Sequence, residues 1–351
     1  MARTRLGIVG RGRALARRVD RASHHPAVTA VIAMFAALGV IAFYHPAQPA
    51  PVAPFAPFMR AGPSVNAFGK SREVRLRFAL PSAQLEFPLQ LRGDPSSLTY
   101  EWMSTRDSVS AGPPLPVSGS TFVAPSKPGF YRLVVSRPGS RQVIEQPTLA
   151  VLVPFEEKKR GVLNGYRIGN YVADKLSQHD HPDGFLEVSS QDVDLMVSTH
   201  LRLGDFLTHD RQGEVWPKYV ALNPRLLDKL ELVLAKIGNR ARFSQADGSQ
   251  EAAIPNVEVN SGFRTPDHNA QTRGAVRDSR HQYGDAADVA IDANGDGRVT
   301  LTDELIVVRA VDQVESEHPE LVGGLGLYTS RRFNQPYVHI DARGTRSRWK
   351  G

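Results

Sequence analysis

His281, Asp288 and His339 constrain this chain more than any other residues. The first two lie in Ser279-Arg280-His281-Gln282-Tyr283-Gly284-Asp285-Ala286-Ala287-Asp288, the third about fifty residues on in Tyr337-Val338-His339-Ile340-Asp341. Two imidazoles and one carboxylate suit a hydrolytic zinc ion, because three protein ligands leave the fourth tetrahedral position open for water. The chain has no cysteine, which excludes thiolate metal sites and disulfides and leaves nitrogen and oxygen as the metal donors.

Both stretches read as strands. Asp288 can then face a cleft while Val289 and Ile291 face the core, and His339 shares its face with Tyr337 and Asp341. His281 enters from the loop before the first strand, where Gly284, Ala286 and Ala287 leave room for close approach. A structural zinc takes all four ligands from protein; three candidates favour catalysis.

The net charge of +7 is not a nucleic-acid signature, because residues 1–25 carry seven arginines against Asp20 alone. Ala27 to Tyr44 is an uncharged apolar run of 18 residues, about the minimum for a membrane-spanning helix. Arginines before it and none just after it orient the amino end inside, which puts residues 45–351 outside the cytoplasm. A cleaved signal peptide is the rival reading, but the run is long for one and no clean small-x-small site follows. Gly7-Ile8-Val9-Gly10-Arg11-Gly12 resembles the start of a dinucleotide loop, yet Leu15 stands at the third glycine position and arginines flank it.

Prolines at 46, 49, 51, 54, 57 and 63 make residues 45–66 an extended linker. Apolar residues then alternate at Val74, Leu76, Phe78 and Leu80, at Leu85, Phe87, Leu89 and Leu91, and at Leu98, Tyr100 and Trp102. With turn residues between these runs, residues 67–155 read as an all-β sandwich. Trp102 and Tyr131 resemble those of an immunoglobulin-like domain without its disulfide. Residues 156–351 read as α+β. Asn223-Pro224 starts a helix carrying Leu226, Leu227, Leu230, Val233, Leu234 and Ile237, with Gly238 as its stop. His179, His181 and His209 sit in polar stretches and read as solvated, while His200 stays open.

Asp292, Asn294, Asp296, Arg298, Thr300 and Asp303 occupy positions 1, 3, 5, 7, 9 and 12 of a loop with Gly297 at position 6. That is the calcium-loop pattern of EF-hands, with Asp303 where Glu is usual and the position-7 ligand supplied by a backbone carbonyl. Leu301, Leu305, Val308, Val311 and Val314 supply the exit helix. An Asx-rich turn without metal is the alternative.

Ser261-Gly262-Phe263-Arg264-Thr265-Pro266 with Asn269, the His281-x6-Asp288 element, Gly323-Gly324-Leu325-Gly326-Leu327-Tyr328, and Val338-His339-Ile340-Asp341 ending in Arg346-Ser347-Arg348-Trp349 together resemble the zinc D-alanyl-D-alanine peptidases. The likeness leans to the branch with bacterial murein endopeptidases, whose metal fold is shared with lysostaphin-type enzymes and the hedgehog domain. The resemblance implies a zinc ion on His281, Asp288 and His339, with Arg264 stabilising an oxyanion or gripping a substrate carboxylate. It also places Asn269, Ser279 and Tyr337 against substrate. Relatives with a Glu three residues before the last ligand use it as base; here that residue is Pro336. Asp341 is the leading candidate for the base, with support of His339 as its other possible role.

The expected protein is therefore a single N-terminal transmembrane helix (27–44, after a basic cytoplasmic segment 1–26), a linker (45–66), an immunoglobulin-like sandwich (67–155) and a zinc peptidase domain (156–351). It would carry zinc and calcium, act outside the cytoplasm on peptidoglycan peptides, and bind no nucleic acid. A catalytically silent wall-binding or scaffold protein that keeps zinc is the alternative.

Overall fold

The computed structural model describes residues 59–61, 73–87, 89–91, 95–118, 121–244, 255–329 and 335–351. The apolar run 27–44 lies outside them, as does most of the proline-rich segment. No described helix is long and apolar enough to cross a membrane. Pro57–Gly351 forms one compact unit.

Inside the expected linker, β1 (Met59–Ala61) pairs antiparallel with β4 (Leu89–Leu91). Pro57 and Pro63 bracket this stretch without entering it, so its backbone N–H groups remain free to donate. The all-β layer has five strands in the order β2 (Leu76–Ala79), β9 (Ser140–Val151), β8 (Gly129–Arg137), β5 (Thr99–Ser104) and β6 (Leu115–Pro116). A separate pair, β3 (Gln84–Glu86) with β7 (Thr121–Val123), completes it. The alternation at Leu98, Tyr100 and Trp102 puts all three side chains inside, where Trp102 meets Phe87, Tyr100 and Phe122 edge to face. The Trp102 indole donates to the Val123 carbonyl (2.7 Å), and the Tyr131 hydroxyl donates to the Lys127 carbonyl four residues upstream (3.0 Å).

The apolar core does not stop at residue 155. Val74, Leu76, Phe130, Ala150 and Leu152 belong to the same buried cluster as the helices and sheet that follow. Backbone bonds between residues 73–75 and 197–199 stitch the two regions together. Three short strands, β10 (Val153–Pro154), β13 (Gly184–Val188) and β14 (Lys218–Val220), bridge toward the second sheet, with a small hairpin of β11 (Val162–Leu163) and β12 (Tyr166–Arg167) between them.

The sheet that carries the site runs β15 (Asn256–Ser261), β16 (Ala286–Asp292), β18 (Tyr337–Asp341), β17 (Gly324–Tyr328) and β19 (Ser347–Lys350); only the last pairing is parallel. One face is apolar: Val289, Ile291, Leu325, Val338 and Ile340 pack in a common core with α1 (Pro224–Ser244) and α3 (Leu301–Glu317). Period-two alternation therefore turns Asp288, His339, Asp341 and Gly326 to the opposite face.

One helix expectation is corrected here, and the other helix forms as expected. Asn223 caps α1 as expected, its side chain accepting from the Arg225 N–H (2.9 Å), but the helix continues through Gly238 to Ser244. Gly238 keeps a negative φ, so it never enters the left-handed conformation that a glycine stop requires. On α3 the buried stripe is Val307, Ala310, Val311 and Val314, while Leu301 and Leu305 are more than half exposed. The cap decides this: Thr300 and Asp303 form a reciprocal capping box, which fixes the rotation of the first turn and aims Asp303 and Glu304 inward.

Candidate metal centre

The strand registers align one row of residues across the whole sheet. Ser261 stands opposite Asp288, Asp288 opposite His339, His339 opposite Gly326, and Gly326 opposite Trp349. A bulge between Val259 and Ser261 makes this possible. Without it, Ser261 would keep the parity of Val257 and Val259 and face the core.

His281 joins this row from the 3-10 turn Arg280–Tyr283 that precedes β16. Gly284 closes the turn at φ +69°, and a Cβ there would strike the Ala221 carbonyl, so only glycine serves. The result is a triangle of donor atoms. His281 Nε2 lies 3.2 Å from His339 Nδ1, His339 Nδ1 lies 2.9 Å from Asp288 Oδ1, and His281 Nε2 lies 3.3 Å from Asp288 Oδ1. Bonds of about 2.0–2.1 Å to a tetrahedral zinc imply ligand–ligand edges of about 3.3 Å. Among the described residues these three are the one group of His, Asp or Glu so gathered.

The outer nitrogens fix the tautomers. His281 Nδ1 faces the Gly262 carbonyl at 2.7 Å, and a carbonyl only accepts, so that nitrogen carries the proton. His339 Nε2 faces Asp341 Oδ2 at 3.1 Å, an ionised acceptor. In the neutral rings both inner nitrogens then present lone pairs to each other and to Asp288. Three acceptors converging without a proton call for a cation, and the donor set, spacing and burial fit zinc. No metal is needed to see the strain in protonation. Burial pushes the His281 imidazole down, outweighing the attraction of Asp288. Burial opposes the charged form of His339 too, but its bonds to Asp288 and Asp341 prevail and raise it. Asp288 is held well below the usual carboxylate range, its burial outweighed by both histidines.

Arg264, placed by resemblance at the substrate, is committed in this structure to Asp288. Its Nη2 donates to Asp288 Oδ2 (2.5 Å) and its Nε to Ser261 Oγ (2.8 Å). One carboxylate oxygen thus faces the histidines and the other the guanidinium, which orients Asp288 as a ligand through a single oxygen. Tyr337 is half-buried at the start of β18, its ring stacked on Tyr328 at 4.7 Å. Burial and the nearby Asp288 charge push its phenol up to about 12. Trp349 closes the row, its ring 5.1 Å from that of His339 and its Nε1 donating to the Tyr328 hydroxyl (3.1 Å). Gly326 exists for this ring, since a Cβ there would collide with the indole.

Asp341 is fully buried. Besides His339 it accepts from the Gly324 N–H (2.7 Å), the Arg343 N–H (3.1 Å) and the Arg343 guanidinium. Its carboxylate is directed at the outer nitrogen of His339, not at the donor triangle, which is the arrangement of a residue that orients a ligand. Asn269 sits in the short helix α2 (Pro266–Gln271), buried, its Nδ2 donating to the Val276 carbonyl (2.9 Å). Ser279 is buried just before the His281 turn and its hydroxyl makes no cap bond.

Residues outside the sequence motifs complete the support. Lys229 of α1 is fully buried and donates to the Asp341 carbonyl (2.6 Å) and to Glu315 of α3 (2.8 Å), while Glu315 accepts from the Gly323 N–H (3.1 Å). No sequence motif marks Lys229, which lies 112 positions from Asp341. Its place on the otherwise apolar stripe of α1 was the available signal.

His200 is paired with buried Glu231 (2.6 Å) and Asp285 with Arg280, so neither joins the triangle. His179, His181 and His209 are exposed. In the 292–303 loop, Asp292 accepts from the N–H groups of Gly295, Asp296 and Gly297, and Asp303 from those of Ala293, Asn294 and Thr300. Asn294 and Asp296 bond to each other, and Arg298 donates its N–H to Asp296. These carboxylates accept from backbone donors as in an Asx-rich turn, and among the described residues the loop gathers no group of three His, Asp or Glu.

Residues 249–314 match the model of a family described as Peptidase M15. The matched segment holds Arg264, Asn269, His281 and Asp288 and ends before His339. No curated protein matches the chain.

Proposed function

Because residues 249–314 place this chain with the M15 zinc peptidases, we propose that it hydrolyses D-amino-acid-containing peptide bonds of peptidoglycan, as a carboxypeptidase or an endopeptidase. The observation that carries this is the convergence of three ligand atoms, His281 Nε2, His339 Nδ1 and Asp288 Oδ1, within 3.3 Å of one another. A zinc ion held there supplies Lewis acidity toward a peptide carbonyl and activates water at neutral pH.

The chain's own groups do the rest. The Gly262 carbonyl and Asp341 hold both imidazoles in the tautomer that leaves the inner nitrogens free. Arg264 holds the second oxygen of Asp288 and so orients it, and its remaining donors would meet developing negative charge on a substrate oxygen. Tyr328, Tyr337 and Trp349 form an aromatic side to the site. Asp341 acts as a positioning residue in this proposal rather than as the base.

A specific observation favours the second reading, a zinc-holding protein that binds peptidoglycan without cleaving it. Pro336 stands where relatives carry the base, and Asp341 is turned to His339. Mass spectrometry of muropeptides incubated with the zinc-loaded chain separates the two. The hydrolase reading expects cleavage that stops with chelator and returns with zinc; intact muropeptides at full zinc occupancy would leave only the binding protein.

The remaining parts of the proposal rest on sequence. Residues 27–44 would anchor the chain in the inner membrane with its body outside the cytoplasm, and an export-dependent reporter fused after Pro63 should be active and sediment with membranes. A soluble product starting near residue 50 would make the run a cleaved signal, and an inactive reporter would place the body inside. The all-β layer would be immunoglobulin-like, a reading supported by buried Trp102 and the Tyr131 bond to Lys127. Calcium in the 292–303 loop rests on its residue pattern, and a calorimetric titration with no heat would remove it.

A further inference from the structure

Beside the metal centre lies a cavity of about 600 Å³ that does not include the donor triangle. Two of its walls continue directly from site residues: Gln282 follows His281, and Pro266 follows Arg264 by two positions. The opposite wall is the segment around Tyr171 and Lys175, tied across by the Tyr171 hydroxyl donating to the Gln282 carbonyl (2.9 Å).

The charges in this cavity are not balanced. Lys175 and Arg277 both line it, both are exposed, and neither makes a side-chain hydrogen bond or ion pair among the described residues. The carboxylates next to them in sequence are engaged elsewhere. Asp174 holds Lys158 and the Tyr171 N–H, and Asp278 holds the Tyr283 hydroxyl. Asp267 of α2 does not line the cavity and lies 3.5 Å from Arg167.

Arg277 is also presented by built structure. Asn269 donates to the Val276 carbonyl and Gln282 to the Arg277 carbonyl (2.8 Å), so two side-chain amides fix the rim that carries the guanidinium. Asn269 is 4% exposed and its Oδ1 has no partner among the described residues, an acceptor left over in the wall of the cavity. Leu176, Pro266 and Ala270 add apolar lining. Two free cations, a spare amide acceptor and short apolar walls match a peptide with a free carboxylate and small side chains.

We propose that this cavity is a subsite for a carboxylate of the peptide substrate, gripped by Lys175 and Arg277, and that it selects peptides bearing that carboxylate over their amidated forms. The inference rests on the peptide-hydrolase reading, but its test does not. The full zinc-loaded chain is given pairs of muropeptide stem peptides that differ only by a free or an amidated carboxylate, and KM is measured for each. The expected preference for the free acid is about tenfold. It should fall to near one in the Lys175→Gln, Arg277→Gln double variant and persist in Lys175→Arg, Arg277→Lys, with zinc content and thermal midpoint verifying the fold. Should no peptide be cleaved, the hydrolase reading fails, and calorimetric Kd values for the same pairs read the same preference. An unmutated chain that treats acid and amide alike, or a double Gln variant that keeps the preference, overturns the subsite.

Discussion

Replacing Asp341 with asparagine exchanges one oxygen for an NH₂ group, and the structure states where it would go. Oδ1 accepts from the N–H groups of Gly324 and Arg343, and Oδ2 from His339 Nε2 and the Arg343 guanidinium. If the amide keeps its oxygen toward Gly324, its NH₂ faces His339 Nε2 and Arg343, both donors. If it flips, the NH₂ faces two backbone donors. The cheaper escape is for His339 to move its proton from Nε2 to Nδ1, the atom that faces Asp288 and His281. That proton covers the lone pair the metal needs. Loss of such an outer partner weakens metal binding about 10- to 100-fold, or about 1.4–2.7 kcal/mol. The mismatched buried donor adds a fold penalty of about 1–3 kcal/mol. Competition with a chromophoric chelator measures the first and thermal unfolding of the metal-free protein the second. A folded Asp341→Asn protein whose zinc Kd is within twofold of the original would refute the tautomer argument and return Asp341 to the candidates for proton transfer.

Other substitutions probe the remaining geometry. His281→Ala or His339→Ala should each abolish stoichiometric zinc; a variant that elutes with one zinc per chain contradicts the triangle. Gly326→Ala sets a Cβ against the Trp349 indole and should destabilise by about 1–3 kcal/mol in denaturant melts while displacing the ring from His339. Zinc affinity should fall by about tenfold per pH unit on the acid side, because His339, whose proton affinity is raised, must release one proton while neutral His281 releases none. The sign for the metal-free fold is opposite: protonated His339 stabilises it below its unfolded pKa, and that contribution is lost as pH rises through the higher folded value. A pH-independent zinc Kd between pH 5 and 8, the range where histidine titrates, would contradict this.

The donor triangle was legible because its residue types and strand parity are local properties. Asp288 and His339 fall on one face by alternation alone, and Pro336 already marked a departure from the family resemblance. What alternation cannot reveal is which strand neighbours which. The row from Ser261 to Trp349 depends on a bulge near residue 260 and on a parallel pairing of β17 with β19, both set by long-range contacts. Lys229 was illegible for the same reason, since its partners come from another helix and another strand. The Gly238 stop failed because a helix packed on a core along six apolar positions tolerates one glycine at a cost of about 1 kcal/mol. The exit helix formed where its spacing placed it, but which of its apolar residues are buried was not legible, because the Thr300 and Asp303 cap turns Leu301 and Leu305 outward.

X-ray absorption on the zinc-loaded full chain tests the centre most directly. The structure predicts one zinc per chain in four-coordinate geometry, two imidazole nitrogens and a single carboxylate oxygen from protein at about 2.0–2.1 Å, and one exchangeable light ligand. A chain that retains no zinc, or one whose zinc takes four ligands from protein and exchanges none, would contradict a hydrolytic site on His281, Asp288 and His339.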